Sequence, residues 1–429
     1  MKKILILLVM ISSQIAAQPF QVPWADDRSD GQNLTIKLVT FGVGDDIPSW
    51  WGHTALIVED QEFRRSRIYN FGLFSFEDGM LFKFIMGRLI FSAGDFSVPG
   101  YLSYYKSENR EIRIVTLNMP DDTKRKLAKK LADAILPVNK YYLYHHYYDN
   151  CSTRLRDLLN ECTGGALKKE SAKPAKMSLR DHTKRYTGHS PFMELLLMYL
   201  MNDSIDKPCA QWDEMFLPDE LEAHILRLTY PDSTGQDSKL AKEQFTFFKA
   251  ERAPIPEDAP DHYALMIISG ALLALLSFST AWYYVYHTTG IKGRVFFGLY
   301  HSILGFIIGL PGLGLGLMAS FTDHSVTYYN ENLLLSNPLT FLIFLAGAAI
   351  LMNKKRSLDW FKALVYLHLI LAVIALVIKI FPVFDQDNYM VFAFILPVWA
   401  GLGVTAWFIS GKTNPANQKT GSGQSSIRI

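Results

Sequence analysis

The second part of this chain limits its fold more than any other feature. Beyond residue 262, five apolar runs follow one another, at about Tyr263–Tyr286, Val295–Phe321, Leu339–Met352, Phe361–Ile380 and Met390–Ser410. About 20 consecutive apolar residues span the hydrocarbon core of a bilayer. A chain inside lipid must satisfy its own backbone hydrogen bonds, so each run predicts a membrane helix. The third run is short and would borrow length from Leu333–Leu335. Buried helices of a water-soluble protein are the competing explanation, and five in succession argue against it.

Charges between the runs predict the orientation. Lys292 and Arg294 follow the first run, and Lys354, Lys355, Arg356 and Lys362 follow the third. The other two loops carry Asp323, Glu331, Asp385 and Asp387 with no Lys or Arg. Basic residues stay on the cytoplasmic side. Residues 18–260, the 322–337 loop and the 382–388 loop are therefore expected outside, and the tail inside. Lys379, near the outer end of its run, is the exception and is expected to snorkel to the interface. The N-terminus points the same way. Lys2 and Lys3 precede a short apolar stretch, Ile4–Ile11, and then Ala16 and Ala17, the pattern of a cleaved secretory signal. The expected organisation is a signal segment (1–17), a periplasmic domain (18–260), a five-helix membrane domain (261–411) and a disordered, Gly/Ser/Asn/Gln-rich cytoplasmic tail (412–429). A net charge of +2 gives no indication of a nucleic-acid partner.

The exported part reads as α+β. Strands are expected over 34–44, from His53 through Val58, over 67–71 and over 111–117, with Gly72 ending the third. A helix is expected over 121–136, capped by Asp122 or Thr123 and stopped by Pro137. A second begins at Cys151, where Leu155, Leu158 and Leu159 form one stripe and Asp149 or Asn150 serves as N-cap. The run Leu73–Gly94 fits either a membrane-surface segment or a core helix followed by a strand.

Cys151 thus heads a helix, where free N–H groups favour a negative charge and are expected to lower a thiol's pKa. Exported cysteines tend to pair. Of the three in this chain, Cys162 and Cys209 are the expected pair, which leaves Cys151 free as a nucleophile; three buried, reduced thiols are the plainer alternative. His53 opens a strand after Gly52 and is the preferred base. His145 and His146 compete, but on the loop leading into the helix. Asn70 is the preferred group to orient the imidazole, with Glu59 and Asp60 as alternatives. Trp51, Tyr148, Asn150, Thr153 and Arg154, beside the pair in sequence, are candidate substrate contacts. So are His324, Asn330 and Asn332 in the outer loop, where a hydrogen-bonded loop cap is the competing explanation. No metal or cofactor motif is found.

These residues resemble a family. The order WWGHTALIV, RIYNFG, DNCSTRLRDLL and DEMFLPDEL, followed by DHSVTYYNENLLLSNPL at 323–339, is similar to the Lnb-type lipoprotein N-acyltransferases. The Cys/His pattern also resembles permuted papain-like enzymes of the lecithin:retinol acyltransferase group, in which the histidine precedes the cysteine. The resemblance implies a permuted papain-like fold, with Cys151 as nucleophile and His53 as base. It implies a phospholipid acyl donor, a diacylated lipoprotein acceptor, a membrane setting and no cofactor. It leaves the third residue open, because Arg65 stands near the place where the lecithin:retinol group often has a second histidine. Two other readings remain at this level: a membrane-anchored papain-like cysteine hydrolase acting on cell-envelope amide or peptide bonds, and a non-catalytic sensor. Cys151→Ala would leave a sensor intact, and the mass of a lipoprotein N-terminus would separate transferase from hydrolase.

Overall fold

The computed structural model describes residues 22–74, 79–231, 235–286 and 291–413. The expected signal segment and the tail beyond Thr413 lie outside the described residues. The chain forms two compact units that do not divide at residue 260. The first comprises residues up to 76, 90–173 and 215–252; the second comprises 77–89, 174–214 and 253 onward.

The first unit is built on a seven-stranded antiparallel sheet. Its strands are β1 (Leu34–Phe41), β2 (His53–Asp60), β3 (Arg65–Leu73), β4 (Ile90–Phe96), β5 (Ile112–Leu117), β6 (Tyr141–Leu143) and Ala241–Phe248. Across the sheet the order is Ala241–Phe248, β5, β1, β2, β3, β4, β6. The first four strands therefore run as a meander, with β5 added beside β1. Alternating side chains divide between two buried faces. Val39, Phe41, Ala55, Ile57, Ile68, Ile112 and Ile114 form one cluster with Leu102 and Tyr105 of the Val98–Ser107 helix. Leu38, Leu56, Val58 and Val115 fall on alternate positions and are equally buried. The expected helices are present as Asp121–Ala134 and Cys151–Cys162. The Cys151 helix lies against β2 and β3, and Leu155 and Leu159 are fully buried. The run Leu73–Gly94 contains both a short helix, Met80–Ile85, and the sheet strand β4.

The second unit is helical. Four of its helices are long and apolar enough to cross a membrane: Tyr263–Tyr286, Ile291–Phe321, Ser357–Ile378 and Tyr389–Gly411. The expected third span differs. It is a helix of 10 residues, Leu342–Leu351, about 15 Å long and so half of the ~30 Å a single crossing needs. It packs tightly on Ile291–Phe321 through small residues: a β-carbon on Gly305 would come within 2.4 Å of Phe344 N, and one on Gly298 within 2.6 Å of Leu351 N. Close backbone approach of this kind replaces hydrophobic drive inside lipid.

The two acidic loops meet in one polar layer. Gln386 Nε2 donates to Asn330 Oδ1 at 3.1 Å, and Asn388 Nδ2 donates to Asn332 Oδ1 at 2.9 Å. Lys379 does not simply snorkel: its ammonium pairs with Glu331 and also donates to Gln386 O at 2.7 Å. Residues 174–214 join this layer. Lys184 Nζ reaches Asp387 at 2.6 Å, and Asn202 Nδ2 donates to Tyr328 O at 2.8 Å. The two loops grouped by their charge are thus also grouped in space.

Candidate active site

The site lies at one end of β2 and β3. Register places Ala55 opposite Asn70, so His53 and Asn70 share a face as diagonal neighbours. His53 Nε2 and Asn70 Oδ1 are 2.6 Å apart. An amide oxygen only accepts, so Nε2 carries the proton and Nδ1 holds the lone pair. The ring stacks toward Phe41 and Tyr105, with centroids at 6.1 and 6.0 Å, and those two rings lie 3.8 Å from each other on one side of it. Tyr101 Oη stands 3.4 Å from Nε2, a weaker second partner.

Cys151 meets this ring across Gly72. A β-carbon on Gly72 would sit 3.7 Å from His53 Cε1 and 3.8 Å from Cys151 Cβ, and its φ of +116° is open to glycine and few other residues. Glycine at 72 thus leaves open the space that lies between the imidazole and the Cys151 β-carbon. The Cys151 helix is fixed by a capping box. Asn150 Oδ1 accepts from the amides of Ser152 and Thr153, both at 2.9 Å, and Thr153 Oγ1 accepts from Asn150 N at 2.8 Å.

Electrostatics reverse one expectation. The backbone amides of Thr54 and Ser152 and the charge of Arg110 all favour a thiolate, yet burial outweighs them and pushes the Cys151 thiol up to about 11. Burial, helped by Arg110, holds His53 down at about 3 against the opposing effect of Asn70. The resting pair is therefore neutral thiol and neutral imidazole. Helix-terminal donors lower a thiol's pKa where water still reaches it; here desolvation dominates.

The remaining expected residues separate clearly. Asn150 has no capacity left for a substrate, since its Nδ2 also donates to His146 O and Phe216 O at 2.7 and 2.9 Å. Thr153 is buried in the same cap. Arg154 forms a two-point pair with Asp149 at 2.5 and 2.8 Å and covers the Tyr142 ring. Tyr148 is exposed and stacks on His145. Trp51 packs edge-on against His146. Neither competing histidine is placed as a base. His146 is enclosed by Trp51, Tyr147 and Phe216, and burial lowers it to about 4. His145 Nδ1 accepts from the amides of Tyr147 and Tyr148. Glu59 pairs with Lys37, and Asp60 accepts from Ser29, so neither is free to orient His53. All three cysteines are free, so Cys162 and Cys209 do not pair. Asn330, Asn332 and His324 belong to the second unit. Both asparagines are buried and donate to the carbonyl of Tyr199, and His324 packs its ring against Gly87.

A cleft of about 310 Å³ opens beside His53, lined by Asn70, Gly72, Tyr101, Tyr105 and Arg110 among others; Cys151 lies behind Gly72 and does not line it. Sequence reasoning missed Gly72, the two tyrosines and Arg110 as site residues. Only the i, i+4 spacing of Tyr101 and Tyr105 hinted that both rings share a helix face. Among the described residues, no group of three His, Cys, Asp or Glu is placed to hold a metal ion.

Residues 20–185 match the family model described as the Lnb N-terminal periplasmic domain. That part of the chain is a periplasmic domain of Lnb type. The match ends short of the apolar helices and spans every residue of the Cys151–His53–Asn70 cluster. No curated protein and no solved structure matches the chain. With this domain and four helices long and apolar enough to cross a membrane, the chain is a membrane protein with a periplasmic domain.

Proposed function

We propose that this protein is a lipoprotein N-acyltransferase of permuted papain-like type, working through a Cys151 thioester. The observation that carries this reading is the meeting of Cys151 and His53 across Gly72, with Asn70 holding the imidazole. In the first half-reaction Nδ1 of His53 takes the thiol proton as sulfur attacks a phospholipid ester carbonyl. The carbon–oxygen ester bond breaks, the proton passes to the leaving glycerol oxygen, and a thioester and a lysophospholipid result. In the second, the free α-amine of a diacylglyceryl-cysteine lipoprotein attacks the thioester. His53 accepts the amine proton, the carbon–sulfur bond breaks, and the thiol re-forms beside a new amide.

The neutral resting pair suits this order of events. A thiolate standing at the mouth of an exported domain would be open to oxidation and to water-borne electrophiles. Here the sulfur ionises only as it attacks, and the Thr54, Ser152 and Cys151 amides that act on it supply donors for the developing oxyanion. The membrane helices support the same reading. Removing an acyl chain from lipid costs about 0.8 kcal/mol per CH₂, so a site held at the bilayer surface avoids lifting whole lipids out. On this reading the periplasmic domain and the acidic loops face outward, and the basic loops and tail face the cytoplasm.

The test is reconstitution. Full-length protein in vesicles containing phosphatidylglycerol is mixed with a diacylated lipopeptide bearing a free N-terminus. One added acyl group on the lipopeptide, absent with Cys151→Ala, is expected. Cleavage of the lipopeptide without acyl gain would replace the transferase with a hydrolase.

A further inference from the structure

Arg110 is a buried cation that the fold leaves bare. Its residue is 8% exposed. Its Nε donates to Gly42 O at 2.8 Å, and its guanidinium lies 4.6 Å from the centre of the Tyr105 ring. Its Nη2 is shielded from solvent and has no hydrogen-bond partner. Among the described residues no carboxylate forms an ion pair with it; Asp46 acts on it electrostatically, and that side chain accepts a hydrogen bond from Ser49 at 2.5 Å. The contrast with Arg113 is instructive. Three residues further along, the chain surrounds a half-buried arginine with Glu111, Asp219 and Glu222. Arg180, fully buried in the second unit, is paired with Asp206. Buried charges in this protein are neutralised, as a low dielectric demands. Arg110 departs from that rule, and it does so in the wall of the cleft that also holds His53, Asn70 and Gly72.

A guanidinium fork without a carboxylate suits a phosphate, which it can grip through two N–H groups. The phosphate and the ester carbonyl of a glycerophospholipid are joined through glycerol, only a few bonds apart. The cleft holds Arg110, His53 and Gly72, and a β-carbon on Gly72 would lie 3.8 Å from Cys151 Cβ, so an anion at Arg110 leaves the ester within reach of Cys151. We infer that Arg110 binds the phosphodiester of the acyl donor and sets the ester carbonyl against Cys151. The inference rests on the transferase reading. It specifies that the donor is recognised as a phospholipid and not merely as an acyl ester. Tyr105 supports the guanidinium from below, and Tyr104 stands exposed at the rim.

The experiment compares two donors with identical acyl chains, phosphatidylglycerol and diacylglycerol, using full-length protein in mixed micelles. The rate of acyl-Cys151 formation is read by mass spectrometry. Wild type is expected to prefer the phospholipid. In Arg110→Gln that preference falls by about 10- to 100-fold, the range of a lost charge-assisted hydrogen bond. Arg110→Lys, which keeps a point charge, retains part of it. The ratio of donors within each variant controls for damage to folding. Wild type alone supplies a further arm: soluble glycerophosphoglycerol slows acylation from phosphatidylglycerol, whereas glycerol does not. Inorganic phosphate, added separately, shows whether the site takes any phosphate or needs the diester. An unchanged donor ratio in Arg110→Gln, or equal inhibition by the phosphorylated and plain glycerols, overturns the inference. Absence of acyl-Cys151 from either donor in wild type would instead overturn the transferase reading.

Discussion

Replacing Asn70 with alanine isolates the part played by the amide. Asn70 is 4% exposed and its Oδ1 lies 2.6 Å from His53 Nε2. In the resting enzyme this is a neutral hydrogen bond, worth about 1 kcal/mol. Once the imidazole takes the thiol proton the bond becomes charge-assisted, worth about 1.5–3 kcal/mol. Asn70→Ala removes that difference from the transition state and leaves a buried N–H without its acceptor. Tyr101 Oη, 3.4 Å from the same nitrogen, is too distant to replace it without moving. That difference of about 0.5–2 kcal/mol should lower the acylation rate of Cys151 by about 2- to 30-fold, with KM for the donor little changed. The assay is rapid-quench mass spectrometry of the Cys151 peptide with phosphatidylglycerol. Acylation of Asn70→Ala at the wild-type rate, in protein with an unchanged melting temperature, would refute the assignment of Asn70 as the orienting group.

Three further outcomes follow from the same geometry. With the Cys151 thiol near 11 and His53 near 3, raising the pH from 7 to 10 should raise iodoacetamide labelling of Cys151 about tenfold per pH unit, with no step near the ordinary histidine pKa. A plateau between pH 6 and 8 would show a standing ion pair instead. Gly72→Val should abolish acylation, because a branched side chain at φ +116° enters the space between His53 Cε1 and Cys151 Cβ; wild-type acylation rates in this variant would contradict the placement. Lys379→Met leaves the largely buried Glu331 carboxylate without its ammonium, and should cost about 3–5 kcal/mol, read as a lower melting temperature in detergent. An unchanged melting temperature would show that the pair is dispensable.

Much of the frame was legible in the chain because it depends on periodicity and local chemistry. The β1 and β2 strands, the Asp121–Ala134 helix and the capped Cys151 helix all follow from apolar spacing, cap residues and turn signals. His53 and Asn70 could be matched because each sits on a recognisable strand, and antiparallel pairing makes them diagonal neighbours. What the chain hid is long-range. Nothing local marks 77–89 and 174–214 as part of the helical unit, because their partners are distant in sequence: Asp323 for Arg88, Asp387 for Lys184 and His262 for Glu194. The Leu342–Leu351 helix is shorter than its apolar run, and its close packing on Gly298 and Gly305 could not be read from composition. The state of Cys151 was misjudged for a related reason. A helix N-terminus is visible in sequence, whereas the burial that outweighs it arises only once the chain is folded, with β2 and β3 packed against this helix. Arg110 was invisible as a site residue until the absence of carboxylates around it could be seen.

The account is tested most directly by a chase from a trapped intermediate. Full-length enzyme is acylated with phosphatidylglycerol of one defined chain, freed of donor, and mixed with a diacylated lipopeptide carrying either a free or an acetylated N-terminus. The account predicts that the Cys151 peptide first gains the mass of that acyl chain and then loses it to the free-amine lipopeptide alone, as an amide. A Cys151 peptide that never carries the chain, while the lipopeptide still gains it, would contradict the account.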